Sequence, residues 1–188
     1  MKKNRLLALA MAGALSLGLL AGCSSSGGSD SPDPSQSGSA SGDKVVRIGV
    51  FEPATGDNGA GGKQEMLGMQ YANKMTPTVE IGGETYTVEL VYADNASDSA
   101  KAASAASELI SKDVSVVLGT YGSSCATAGG PVFGEAGLSV IGVTCTNPLV
   151  TAGNDYYFRI CFLDDFQAQV LSNFAVDNFS AKKVYCLG

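Results

Sequence analysis

Two short segments rich in hydroxyl groups hold the residues best suited to bind a small polar molecule. Gly122-Ser123-Ser124 leads into a predicted helix, and Thr144-Cys145-Thr146-Asn147-Pro148 follows a predicted strand. Hydroxyls and free backbone N–H groups at the start of a helix form a corner that suits an anion such as a carboxylate. The alternative is that Ser123 or Ser124 only caps the helix, and both roles can coexist.

The second segment offers the complementary chemistry. The hydroxyls of Thr144 and Thr146, together with carbonyls at the strand end, can accept hydrogen bonds from an ammonium group while Ser123 and Ser124 hold a carboxylate. The alternative is a turn built by Asn147-Pro148, a dipeptide that favours turns. Both interpretations stay open at this point.

Enzymatic and nucleotide-binding motifs are incomplete. Asp57 to Lys63 (DNGAGGK) lacks the first glycine of a phosphate-binding loop, and Gln64 stands where Ser or Thr is required. We interpret this segment as a mobile loop whose backbone approaches a ligand or a second domain. Gly122 to Ala126 approaches the G-x-S-x-G elbow of serine hydrolases, but the sequence contains no histidine to activate Ser124. We therefore expect a binding protein without catalytic residues, cofactor or metal.

The first residues have the pattern of an export signal. Three basic residues precede the uncharged apolar run Leu6 to Leu20, which is short for a membrane-spanning helix. Leu20-Ala21-Gly22-Cys23 resembles the lipobox of bacterial lipoproteins, in which the signal is cleaved before a cysteine that then carries lipid. We predict a signal peptide over 1–22, lipid attachment at Cys23 and a Ser/Gly-rich tether over 23–43. The alternative is an uncleaved helix with an incidental cysteine.

Charge and cysteine content limit the partners. Three of the 12 basic residues precede Cys23 and all 18 acidic residues follow it, which leaves a net charge of −9 after cleavage. This balance argues against nucleic-acid binding. The remaining cysteines have no metal-site spacing, and we interpret them as reduced or partly paired structural residues in strands or strand ends: Cys125, Cys145, Cys161 and Cys186.

Predicted strands and helices alternate from Lys44 onward. The predicted strands are Val45–Phe51, Tyr86–Ala93, Val114–Gly119, Leu138–Val143, Tyr156–Phe162 and the beginning of one at Lys183–Leu187. The predicted helices are Lys63–Met75, a segment from Ser97 or Asp98 to Lys112, Ser124–Glu135 and Asp164–Phe179, with a tight turn at Ile81–Glu84. This order predicts an α/β fold with a doubly wound, mostly parallel sheet.

In such a sheet, ligands bind at the carboxyl ends of the strands. Four loops are expected at that rim: Ala54–Gly62, Asp94–Ala96, Thr120–Ser124 and Thr144–Pro148. Asp94 lies near this rim, where it can face a ligand or cap the helix that follows it, and we favour the cap. The last apolar segment has no helix after it to cover the sheet, so we expect the sequence to be the N-terminal part of a longer protein.

The order of segments resembles a known family, the substrate-binding proteins of branched-chain amino acid ABC importers, which have the periplasmic-binding-protein-like I fold. The segments that carry the resemblance are VVRIGVFEPATG, GGKQEMLGMQYA, LVYADNASD, VSVVLGTYGSS, LSVIGVTCTNP and YYFRICFLDDFQ. The resemblance implies two lobes that close on a ligand, with lobe 1 over 44–160 and the start of lobe 2 over 161–188.

The resemblance also implies the site and the partners. In the family, the Gly-Ser-Ser loop binds the ligand carboxylate, which assigns Ser123 and Ser124, and the next loop binds the ammonium and carboxylate, which assigns Thr144 and Thr146. An aromatic residue often lines the first loop, but Gly61-Gly62 stand there. Some members carry a disulfide at the places of Ala96 and Gly122, where this chain has no cysteine.

By the same resemblance we expect a monomer that binds an amino acid and delivers it to an ABC permease. Its lipid would anchor it to the extracytoplasmic face of the cell membrane. A lipoprotein of the same fold that senses a ligand and signals is the alternative function.

Overall fold

The computed structural model describes residues 44–185. The predicted signal peptide, Cys23, the tether and Cys186 lie outside the described residues. No helix within 44–185 is both long and apolar enough to cross a membrane.

The described chain forms a six-stranded sheet flanked by helices. Its strands are β1 (Val45–Glu52), β2 (Thr78–Ile81), β3 (Glu84–Asp94), β4 (Val116–Leu118), β5 (Val140–Gly142) and β6 (Tyr157–Arg159). Its helices are α1 (Gly59–Met75), α2 (Ser99–Ser111), α3 (Ser123–Glu135) and α4 (Asp164–Phe179), and Pro148–Val150 form one turn of 3-10 helix.

The strand order is β2-β3-β1-β4-β5-β6. Every neighbouring pair is parallel except β2 and β3, which form an antiparallel hairpin. This confirms the predicted α/β fold with a mostly parallel sheet. The chain leaves β1 toward β3 and then returns to the other side of β1 to form β4. The order therefore reverses between β1 and β4, the position where open parallel sheets bind ligands.

The main core lies between the sheet and the helices α2 and α3. Phe51 and Phe133 are fully buried, and their rings meet edge to face with centroids 5.3 Å apart. Small side chains on the inner face of α2 let it pack closely: Ala102, Ala105 and Ala106. Since successive strand residues alternate in direction, Val50 and Glu52 lie on the opposite face, toward α1.

The hairpin shows one confirmed prediction and one omission. Gly82 and Gly83 have φ values of +62° and +82°, the left-handed conformation that a two-residue hairpin turn requires. The tight turn at Ile81–Glu84 is therefore confirmed. The strand β2 before it was not predicted: its four residues alternate between polar and apolar, but the segment is short and all of it is exposed.

Three further predictions were wrong in detail. Helix α1 begins at Gly59, not Lys63, because Gly59 and Gly62 pack closely instead of forming a mobile loop. Cys125 lies in helix α3 and not in a strand. Lys183 to Tyr185 form no strand, and the last two residues of that predicted segment lie outside the described part of the chain.

Candidate functional site

The carboxyl ends of β1, β4 and β5 bring the predicted binding residues to one rim. Ser123 begins α3 in the loop after β4, and its hydroxyl accepts a hydrogen bond of 3.2 Å from the Asn147 N–H in the loop after β5. Ser124 and Thr144 are exposed, and Thr146 is half-buried. The structure thus joins the two hydroxyl-rich segments at the carboxyl ends of the neighbouring strands β4 and β5.

The N-terminus of α3 has no side-chain cap, so its backbone N–H groups are free to bind an anion. The residue before the helix is Gly122, with φ of +102°, and no side chain accepts from the first turn. The alternative that Ser123 or Ser124 caps the helix is therefore wrong. Because α3 also has no acidic residue in its first turn, its N-terminal N–H groups are left available for an external anion.

The turn interpretation of Asn147-Pro148 is confirmed. The Asn147 side-chain oxygen accepts from Leu149 N at 2.9 Å and caps the short 3-10 helix. This does not exclude binding by the same loop, since the turn leaves the exposed Thr144 hydroxyl at the rim. That hydroxyl donates to the Glu65 carboxylate of α1. Glu65 was not singled out from the sequence.

Arg159 holds the second loop in place. From the end of β6, its Nη1 donates to the carbonyls of Cys145 at 3.0 Å and Asn147 at 2.9 Å. Its Nη2 donates to the Pro148 carbonyl at 3.3 Å and the Thr151 hydroxyl at 2.6 Å. A single half-buried guanidinium therefore fixes the loop that carries Thr144 and Thr146.

We expect Arg159→Lys to loosen this loop although it keeps the charge. A lysine ammonium lacks the planar fork that serves four acceptors, so backbone carbonyls lose their donors. The expected loss is about 1–3 kcal/mol of unfolding free energy, measured by urea denaturation. Arg47→Lys is the control, because that guanidinium pairs with exposed Glu89 and should change stability by less than about 0.5 kcal/mol. Equal effects of the two substitutions would contradict this role.

Asp94 ties together the loops after β1 and β3. Its carboxylate accepts from Ala54 N and Ala96 N at 2.8 Å each and from the Thr55 hydroxyl at 2.7 Å. Burial opposes ionisation, but the hydrogen bonds from Thr55, Ala96 and Ala54 outweigh it and lower the pKa of Asp94. The expectation that Asp94 caps α2 was wrong, since Asp98 does so.

The ring of Tyr121 packs against the backbone of α1 at Gly61, where there is no side chain. A Cβ atom added at Gly61 would lie 2.5 Å from the Tyr121 ring, so the ring rests directly on the helix backbone. Tyr121 remains 38% exposed and borders the rim from the loop after β4. The aromatic group near the first loop thus comes from another loop, which the sequence did not reveal.

A buried carboxyl group lies under the rim at the end of β1. Glu52 is only 1% exposed, and its Oε2 accepts from Tyr121 N at 2.7 Å. Burial, and next the neighbouring Glu65, raise the pKa of Glu52 to about 9. Glu52 is therefore protonated at neutral pH.

The thiols near the site have properties that suit packing. Cys125 and Cys145 are buried and unpaired, and Cys161 is half-buried and unpaired. Burial raises the pKa of Cys145 to about 11 and also raises the pKa of Cys125. These two thiols stay protonated at neutral pH, which makes them poor nucleophiles.

Comparison with known proteins identifies a family. Residues 45–188 match the family of periplasmic binding proteins. An amino acid binding protein of Pseudomonas aeruginosa is 37% identical over 74% of this chain and 37% of its own length. The Leu/Ile/Val-binding protein homolog 3 of Brucella melitensis is 32% identical over 74% of this chain and 38% of its own length. The chain thus spans less than two-fifths of these relatives.

Solved structures agree with the relatives. The leucine binding protein LivK of Thermotoga maritima superposes with a TM-score of 0.67 at 37% identity, covering 73% of this chain and 39% of that chain. The branched-chain amino acid substrate binding protein LivJ of Streptococcus pneumoniae, solved with isoleucine, gives 0.66 at 31% identity, covering 74% and 40%. The resemblance stated from the sequence is confirmed.

Proposed function

The chain belongs to the periplasmic binding protein family, and we propose that it captures an amino acid outside the cytoplasm and delivers it to an ABC importer. The observation that carries the proposal is the junction of Ser123 with the loop of Thr144 and Thr146, beside an uncapped helix N-terminus. The names of the relatives, which refer to amino acid and Leu/Ile/Val binding, support the ligand class.

We infer that the two hydroxyl-rich segments divide the ligand between them. The ligand carboxylate accepts from the Ser123 and Ser124 hydroxyls and from N–H groups of the first turn of α3. The ligand ammonium donates to the Thr144 hydroxyl and to an oxygen of Thr146. Charge-assisted hydrogen bonds of this kind are about twice as strong as neutral ones, so both charged ends contribute to selection.

The assignment is tested by calorimetric titration of the complete natural protein with L-leucine and two analogues. 4-Methylpentanoate lacks the ammonium group, and 3-methylbutylamine lacks the carboxylate. Each loss should weaken binding by about tenfold or more, because polar groups of the site are left unpaired. Binding of 4-methylpentanoate as tight as that of L-leucine would contradict the role of Thr144 and Thr146.

We propose further that the site belongs to a two-lobed protein. Residues 44–160 form lobe 1, and 161–188 begin lobe 2, so the rim described above provides one of two closing surfaces. The share of the relatives that the chain covers supports this division. Closure would draw its energy from contacts that form only when both lobes touch the ligand.

We also propose that the protein is a monomeric lipoprotein anchored at Cys23 after removal of 1–22, with 23–43 as a tether. The basic start, apolar run and cysteine support this assignment. Labelling of the host with radioactive palmitate should mark the protein, and Cys23→Ala should abolish the label. A labelled Cys23→Ala variant would contradict the anchor.

A further inference from the structure

Two carboxyl groups meet beneath the proposed binding rim. Glu52 is the last residue of β1 and is buried against α1, from which Glu65 approaches. The two side chains are close enough for Glu65 to contribute, after burial, to the raised pKa of Glu52. Neither residue belongs to the hydroxyl-rich segments that bind the ligand in the proposal above.

The hydrogen bonds around this pair leave one buried oxygen of each group without a donor among the described residues. Glu52 Oε2 accepts from Tyr121 N at 2.7 Å, and Glu65 Oε1 accepts from the Thr144 hydroxyl. Glu52 Oε1 and Glu65 Oε2 are buried and have no ordinary donor among the described residues. Two ionised carboxylates would repel each other there, whereas one proton between them satisfies both oxygens.

We propose that Glu52 and Glu65 share one proton and that Glu65 thereby fixes the Thr144 hydroxyl as a hydrogen-bond acceptor for the ligand ammonium. This inference rests on the proposed function. It makes Glu65 a positioning residue and Glu52 the group that keeps Glu65 in place. In this chain of hydrogen bonds, Tyr121 N–H donates to Glu52, Glu52 shares its proton with Glu65, and Thr144 donates to Glu65.

The direction of the last hydrogen bond determines what Thr144 can recognise. A threonine hydroxyl has a single hydrogen, and here it points to Glu65. Only the lone pairs of Thr144 are then left for the ligand, so the group it meets must be a donor. An ammonium group satisfies this condition, whereas the second carboxylate of a dicarboxylic ligand does not.

The other ionisable groups around Glu52 favour retention of the proton. Tyr157 of β6 interacts with it, Asp94 is its partner in the register of β3, and Glu108 of α2 borders the same cavity. Burial is the main reason why Tyr157 itself has a raised pKa, so Glu52 loses its proton first. These neighbours are neutral or acidic, and a negative charge on Glu52 is correspondingly costly.

The proton also links stability to pH. The pKa of Glu52 is about 9 in the folded protein against an ordinary value of 4.5, so the folded state binds the proton more tightly. The contribution of this proton to the free energy of unfolding is fully present below pH 4.5 and is lost as the pH rises to about 9. We expect ligand affinity to fall near the upper end of this range, when the pair separates.

The test compares three variants of the complete natural protein, with L-leucine as the probe. Glu65→Ala removes the acceptor of Thr144 and should weaken binding at pH 7 by about five- to tenfold. Glu65→Gln should restore it, because an amide oxygen can accept from Thr144 while its NH₂ donates to Glu52. Glu52→Gln should bind like the wild type at pH 7 and lose the weakening above pH 9.

A double-mutant cycle separates positioning from a merely structural role. In a Thr144→Ala background, Glu65→Ala should have no further effect on leucine affinity, because the hydroxyl that Glu65 orients is gone. Additive losses would overturn the positioning role. Failure of Glu65→Gln to restore binding would also overturn it.

A second measurement does not depend on the ligand. With ¹³C-labelled glutamate, the carboxyl resonances of the wild type should include one that titrates near pH 9, and this titration should be absent in Glu52→Gln. If every carboxyl titrates below pH 6, the shared proton is overturned. If the wild type binds no amino acid, the proposed function and the role of Thr144 fail, while this titration still decides the carboxyl pair.

Discussion

Replacement of both Ser123 and Thr146 by alanine should weaken the binding of aliphatic amino acids by about 10²- to 10⁴-fold. In the proposed binding mode, each substitution removes a hydrogen bond to a charged end of the ligand, worth about 1.5–3 kcal/mol. Ser123 also accepts from Asn147 N, so its loss separates the two binding loops as well. The affinity is measured by calorimetric titration at constant salt, since the interactions are ionic.

Thr127→Ala is the matched control for this pair. Its hydroxyl donates to the Ser123 carbonyl at 2.9 Å from the exposed face of the same helix and does not reach the rim. We expect wild-type affinity for this variant. If the double variant binds amino acids within threefold of the wild type, the ligand does not lie where the loops after β4 and β5 meet.

Gly62→Ala should destabilise the protein by about 3 kcal/mol or more. A Cβ atom at this position would lie 2.3 Å from the Pro53 carbonyl oxygen, and backbone cannot move aside as a flexible side chain can. The clash would push the first turn of α1 away from the end of β1, the place that brings Glu65 to Thr144. Urea denaturation gives the change in unfolding free energy.

For Gly68→Ala on the same helix we expect the opposite effect, an increase in the free energy of unfolding. An added Cβ atom meets nothing within 4 Å, and alanine favours a helix interior over glycine by about 0.5–1 kcal/mol. This variant should therefore be more stable than the wild type. A Gly62→Ala variant that unfolds at the same urea concentration as Gly68→Ala would show that α1 does not pack on Pro53 as described.

The sequence was sufficient to predict the fold class and the two hydroxyl-rich loops that meet at the strand ends. Helix α4 was predicted at the observed bounds, and every predicted strand before Lys183 overlaps an observed one. The strands were predicted because apolar runs bounded by turn residues are typical of buried parallel strands. The loops of Ser123 and Thr144 follow from those strands, because parallel strands end at one edge.

The contacts that shape the site could not be predicted from the same patterns. Arg159 donates to three backbone carbonyls. Every residue has a backbone carbonyl, so the residue types do not show which ones an arginine will contact. Glu52 resembles an ordinary polar strand end, and only the folded structure shows that it is buried with Glu65 as a neighbour. The early start of α1 was missed because a glycine-rich segment usually indicates a loop, whereas here the glycines permit close packing.

A thermal-shift screen of the complete natural protein tests the central claim most directly. The ligands are the twenty amino acids, urea, short amides and sugars, and a ligand at a hundred times its Kd stabilises by about 2.7 kcal/mol. Stabilisation by at least one aliphatic amino acid, lost in the Ser123→Ala, Thr146→Ala double variant, is the result we predict. Stabilisation by none of the amino acids, or by urea, an amide or a sugar alone, would contradict amino-acid capture at this rim.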